Sequence, residues 1–126
     1  MRDVVARCVL CVGLLIAWVA PAAAQDPVKV APETYKVSLE NASVRVLDVH
    51  VKAGEKVAMH EHPAYLVVAF TSCKVRFTAP DGKAVEAELK AGDVMWRAAE
   101  HHSVENLGDE CHVLNIEMKH PAKAHR

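Results

Sequence analysis

Gly54-Glu55-Lys56-Val57-Ala58-Met59-His60-Glu61-His62-Pro63 places two histidines one residue apart, after a glycine turn and before an apolar run. On a strand, side chains alternate faces, so His60 and His62 point the same way. Two imidazoles on one strand face can ligate one metal ion, and a third from a neighbouring strand makes a usable site. A His-x-His pair alone is weak evidence in a chain with 8 histidines, all of them after residue 49. The pair gains meaning only if the chain supplies a third ligand and a scaffold to hold it.

Outward from that stretch, short apolar runs alternate with turn signals. Tyr35 to Leu39 alternates, with Tyr35, Val37 and Leu39 on one face. Ser43 to Val51 reads as a longer strand whose alternation slips near Val46-Leu47, as a bulge or two-sided burial would cause. Pro63 bends the chain at a corner, and Tyr65 to Phe70 is a buried strand. Cys73 to Ala79 and Val85 to Leu89 flank Pro80-Asp81-Gly82-Lys83 as a hairpin. Val94 to Arg97 is a short strand, Ala98 to Glu100 a loop, and His101 to Leu107 a strand with His102, Val104 and Asn106 on one face. Cys111 to Met118 closes the series. Eight or nine short strands without a long amphipathic helix predict an all-β sandwich or closed barrel.

The 126 residues suit one domain, and a net charge of -1 offers no basic surplus for nucleic acid and no polybasic tract for a membrane surface. Residues 1–24 differ in kind. Arg2 and Arg7 precede the apolar run Cys8 to Ala20, and Pro21-Ala22-Ala23-Ala24 supplies small residues. This pattern predicts a cleaved signal peptide, hence a periplasmic or secreted protein with no membrane contact after cleavage. An uncleaved anchor is the alternative, although the run falls short of the ~20 residues of a spanning helix. Residues 25–34, with Pro27 and Pro32, read as an extended lead-in. Residues 35–119 form the barrel, and 120–126 a polar tail. Cys73 and Cys111 are left in an oxidising compartment, where a disulfide is open to them. The expectation is that both act as small apolar strand residues, since a domain of ~90 residues can stand without a staple.

A second glycine-turn unit runs Gly92-Asp93-Val94-Met95-Trp96-Arg97-Ala98-Ala99-Glu100-His101-His102-Ser103-Val104-Glu105-Asn106. Together the two units resemble the paired motifs of the cupin superfamily. Gly54, His60 and His62 match the first motif; Gly92, His102 and Asn106 match the second. The resemblance spans roughly Val44 to Met118. It implies an RmlC-like jelly roll (a double-stranded β-helix) holding a divalent metal on His60, His62 and His102. Two features depart from the family. The first-motif glutamate should fall near Tyr65, Leu66 or Val67, none of which is a carboxylate. The Pro-x-Gly loop is replaced by Ala98-Ala99-Glu100.

Tyr65, Trp96, Glu100, His101 and Asn106 are the candidate pocket residues. Met95 and Trp96 are expected in the core, with Trp96 near the pocket mouth as the functional option. Alternation sends Glu61 and Glu105 to solvent and His101 to the face opposite His102. His50 and His112 are expected to be surface or core residues with ordinary partners. A blue-copper site from His50, Cys111, His112 and Met118 is disfavoured, because Cys111 and His112 are adjacent and point to opposite faces. Imidazole ligands admit Fe, Mn, Zn, Ni or Cu alike. The resulting expectation is a mononuclear metal-dependent oxygenase for a small anionic or thiol substrate. The alternatives are a non-catalytic cupin binding a metal or small ligand, and a Zn-dependent hydrolase or isomerase. A homodimer is the default assembly.

Overall fold

The computed structural model describes residues 25–120; the signal-peptide reading of residues 1–24 and nearly all of the polar tail lie outside them. One helical turn and nine strands follow in order: α1 (Pro27–Val30), β1 (Tyr35–Glu40), β2 (Val44–Val51), β3 (Lys56–His62), β4 (Tyr65–Ala69), β5 (Cys73–Thr78), β6 (Ala84–Leu89), β7 (Val94–Arg97), β8 (Glu100–Asn106) and β9 (Cys111–Met118). They form two antiparallel sheets, ordered β1-β2-β9-β4-β7 and β3-β8-β5-β6. The non-sequential neighbours are those of a jelly roll, which leaves short edges. Between the sheets pack Leu47, Val49, Val57, Val67, Val75 and Val113, all buried. Burying such a side chain contributes roughly 1.5–3 kcal/mol, so aliphatic residues suffice where aromatics are scarce.

Both glycine turns do the work assigned to them. Gly54 and Gly92 adopt φ of +74° and +90°, a region that side chains with a Cβ avoid. Each turn delivers the chain into a strand that flanks the site. The expected bulge lies across the ladder from where the sequence suggested it. Val37 pairs with Leu47 and Leu39 with Val46, so the extra residue belongs to edge strand β1. Beyond Tyr35, which is buried, Val37 and Leu39 are about half exposed at that edge. A second bulge sits in β3, between the pairs Val57–Val104 and His60–His102. It turns Val57 and His60 to the same interior despite their odd spacing.

Two expectations need correction. The lead-in is not extended throughout. Asp26 caps α1 by accepting from the Val28 amide at 2.8 Å, and Arg45 grips the same carboxylate at 2.6 Å. Cys73 and Cys111 are not free: they form a disulfide, with Cα atoms 5.1 Å apart. The bond joins β5 of one sheet to β9 of the other. That cross-sheet approach is a tertiary fact invisible to strand periodicity.

Candidate metal centre

β3 and β8 pair so that His60 lies opposite His102 and His62 opposite Glu100. All three histidines are buried, and their ring centroids lie 4.9 to 5.3 Å apart. Their ligating nitrogens all fall within 4.8 Å of one another.

Each ring is held by its Nδ1. His60 Nδ1 donates to the Ala58 carbonyl at 2.7 Å. His62 Nδ1 donates to Glu117 at 2.7 Å. His102 turns Nδ1 onto the Glu100 carboxylate. Acceptors at Nδ1 leave Nε2 as the lone-pair nitrogen on each ring, which is how metal-binding histidines are oriented. His62 Nε2 is buried without a hydrogen-bond partner. An orphaned buried nitrogen costs free energy, roughly 1–3 kcal/mol, unless something occupies it. The donor set therefore fits a divalent ion.

Rings clamp the triad in place. Tyr65 stacks on His62 at 4.5 Å, Phe77 stacks on His102 at 4.9 Å, and the Arg97 guanidinium lies 4.3 Å over the Phe77 ring. The Tyr35 hydroxyl approaches His60 Nε2 at 3.4 Å from the opposite sheet. His62 and His102, with Tyr35, Tyr65 and Phe77, line a cavity of about 50 Å³ whose largely aliphatic walls also include the disulfide.

The electrostatics are set by burial and by two carboxylates. Burial pushes His60 down to about 4; its bond to Ala58 opposes this, and His62 and His102 add repulsion. Burial likewise lowers His102, against the pull of Glu100. Burial would raise the Glu100 carboxyl, but hydrogen bonds from His102 and Arg97 overcome it and hold it near 2. Glu117 is lowered in the same way, burial being outweighed by His62 and Arg45. Burial raises the phenols of Tyr35 and Tyr65, which stay protonated.

No family model and no curated protein matches the chain. Solved structures do. A cupin domain from Bordetella pertussis Tohama I is similar at 28% identity and a TM-score of 0.63, over 68% of this chain and 92% of that one. The chain belongs to the cupin superfamily. A double-stranded β-helix protein from Klebsiella pneumoniae is similar at 22% identity and a TM-score of 0.55, over 71% of this cupin and 78% of that chain. Fe(II)-HppE with an alternative substrate is similar at 14% identity and 0.51, over 66% and 48% respectively. The last two likenesses are of fold.

Within this cupin, the candidate pocket residues separate. Tyr65 lines the cavity, and its hydroxyl donates to Glu100 at 3.2 Å. Glu100 is not in a loop: it opens β8, and Arg97 Nε and Nη2 bind it at 2.8 to 3.0 Å. His101 faces solvent, 3.5 Å from Glu61. Trp96 lies outside the core and the cavity, 59% exposed on edge strand β7, while its neighbour Met95 lines the cavity. Asn106 is a structural clamp. Its Nδ2 reaches the carbonyls of Val51, Lys52 and Asp109 at 2.7 to 3.1 Å, tying two turns to the end of β8.

Sequence reasoning missed Glu117 and Tyr35. Glu117 had a signal: Cys111, Val113, Asn115 and Glu117 form the inward face of β9, where a carboxylate needs a partner. Tyr35 sits on edge strand β1 and offered no such signal.

A pH dependence follows for the metal-free protein. The unfolded chain takes up a proton at His60 near the ordinary 6.5, whereas the folded chain does so only near 4. Between those values the unfolded state binds more protons, so stability falls as pH drops from 6.5 towards 4. His60 alone accounts for about 3 kcal/mol of that loss at 1.36 kcal/mol per unit, and His102 adds in the same direction. Urea midpoints at pH 7.5 and 4.5 measure it; a flat profile would contradict the burial argument.

Proposed function

We propose that this cupin binds one divalent metal ion through His60, His62 and His102 and acts as a mononuclear oxygenase on a small anionic or thiol substrate. The observation that carries the reading is His62 Nε2, buried and without a partner while Nδ1 is fixed by Glu117. At these nitrogens a divalent ion supplies Lewis acidity and, if redox-active, one-electron chemistry. Three neutral imidazoles bring no negative charge, so the centre favours carboxylate or thiolate ligands. The cavity wall beside the site is largely apolar. The protonated Tyr35 hydroxyl, 3.4 Å from His60 Nε2, is placed to donate a hydrogen bond to a bound anion. Glu100 is ionised and committed to Arg97, Tyr65 and His102, so it orients rather than exchanges protons. The Fe(II) state of the fold neighbour HppE supports iron as the first ion to test. The cross-sheet disulfide supports an oxidising compartment and, with it, export.

One observation favours a second reading, metal binding without turnover. A cavity of about 50 Å³ is well below the ~300 Å³ at which ligand pockets begin. Oxygen uptake separates the two. Protein loaded with Fe(II) is expected to consume dioxygen when small thiols are added, and His102→Ala to lose both metal and uptake. Stoichiometric metal with no uptake across thiols and small carboxylates leaves the second reading. No affinity for any of Fe, Mn, Zn, Ni or Cu defeats both.

A further inference from the structure

We propose that Asp48, His50 and His112 form a second, solvent-facing site for a borderline divalent transition-metal ion on the outside of the five-stranded sheet. It is separate from the buried triad and does not rest on the function proposed above. His50 of β2 and His112 of β9 are directly opposite each other in the ladder. Both strands are interior to the sheet, so the backbone that carries them is fixed on both sides. The two imidazoles stack nearly parallel, 3.9 Å apart at 17°. Asp48, two residues before His50, shares its outer face.

The donors converge. One Asp48 oxygen lies 2.7 Å from His112 Nε2, and the other 3.6 Å from His50 Nε2. All three ligating atoms lie within 4.8 Å of one another. The Glu110 carboxylate lies 3.4 Å from His50 Nδ1 on the far side of that ring. It favours a proton on Nδ1 and so presents Nε2 as a lone pair. Phe70 packs against His112 at 4.7 Å and limits its swing.

A hydrogen bond between Asp48 and His112 alone accounts for those two residues. It does not account for His50, whose Nε2 faces the same carboxylate from beyond hydrogen-bonding distance. Two nitrogens and one carboxylate oxygen suit Zn(II), Cu(II), Ni(II) or Co(II), with water completing the coordination. Mg(II) and Ca(II) prefer all-oxygen sites. His50 is about half exposed, so an ion reaches this site without opening the barrel.

The test is Zn(II) titration of the purified protein by calorimetry, with Cu(II) electron paramagnetic resonance to count nitrogen ligands. The wild type is expected to take two Zn(II) per chain, the H50A/H112A double variant one, and the H60A/H102A variant one. The Cu(II) spectrum of H60A/H102A should show two coordinating nitrogens, and that signature should vanish when H50A/H112A is added. Circular dichroism checks the folding of every variant; His50 and His112 lie on the outer face of the sheet, so their removal should leave the spectrum unchanged. A second Zn(II) that persists in H50A/H112A overturns the proposal. So does a wild type whose only binding disappears in H60A/H102A. A wild type whose single Zn(II) is lost in H50A/H112A alone upholds this site and counts against the buried one.

Discussion

Glu117→Ala should destabilise the cupin by about 3–5 kcal/mol and weaken metal binding at the triad by roughly 10–100-fold. Both effects come from one carboxylate. Glu117 is 2% exposed and accepts from two donors, His62 Nδ1 at 2.7 Å and Arg45 Nε at 2.8 Å. Truncation leaves the Arg45 charge held only by Asp26 and the His62 N–H without an acceptor. Removing one member of a buried ionic network is costly because the others stay desolvated. The metal effect has a separate cause. Without an acceptor at Nδ1, the His62 ring is free to rotate or to place its proton on Nε2, the nitrogen the ion needs. Glu117→Gln keeps an acceptor oxygen but removes the charge, so it should restore orientation better than stability. Urea unfolding and competitive Zn(II) titration read the two effects independently. An alanine variant that binds metal within twofold of wild type would show that Nδ1 is not what aims the ring.

The same carboxylate shows where sequence reading reached and where it stopped. The triad was legible because alternation put His60 and His62 on one face, and the matched second motif supplied His102. The jelly roll was legible because glycine turns punctuate short β-branched runs. Glu117 was harder, because it acts on a histidine of the other sheet that periodicity does not identify, and Glu100 because the strand that sets it on one face with His102 begins one residue earlier than the sequence suggested. Trp96 was misplaced for a similar reason. Its type suggests a core residue, but β7 is an edge strand, and the alternation that turns Met95 towards the cavity turns Trp96 out. The motif glutamate missing from Tyr65 to Val67 has no replacement among the ligands. Tyr65 stacks on His62 instead, the two nearby carboxylates meet the rings at Nδ1, and no Asp or Glu among the described residues lines the cavity.

Reducing the Cys73–Cys111 disulfide should cost about 4 kcal/mol of stability, from the chain entropy of a closed loop of this size. The bond spans 38 residues of sequence and joins the two sheets across the interior. It therefore restricts the unfolded chain strongly while adding little to contacts already made in the folded state. A domain of this size has only about 5–15 kcal/mol in total, so the reduced protein should be marginal. The melting temperature should fall by roughly 15–30 °C, at 4–8 °C per kcal/mol. The double substitution C73A/C111A adds a packing defect to the lost cross-link, because both side chains are buried in the cavity wall. Chemical reduction of the wild type isolates the cross-link alone. If entropy is the cause, reduction should also increase the denaturant dependence of unfolding, since the freed chain exposes more surface. A melting temperature unchanged by complete reduction would mean that packing between β5 and β9, not the bond, holds the sheets together at that end.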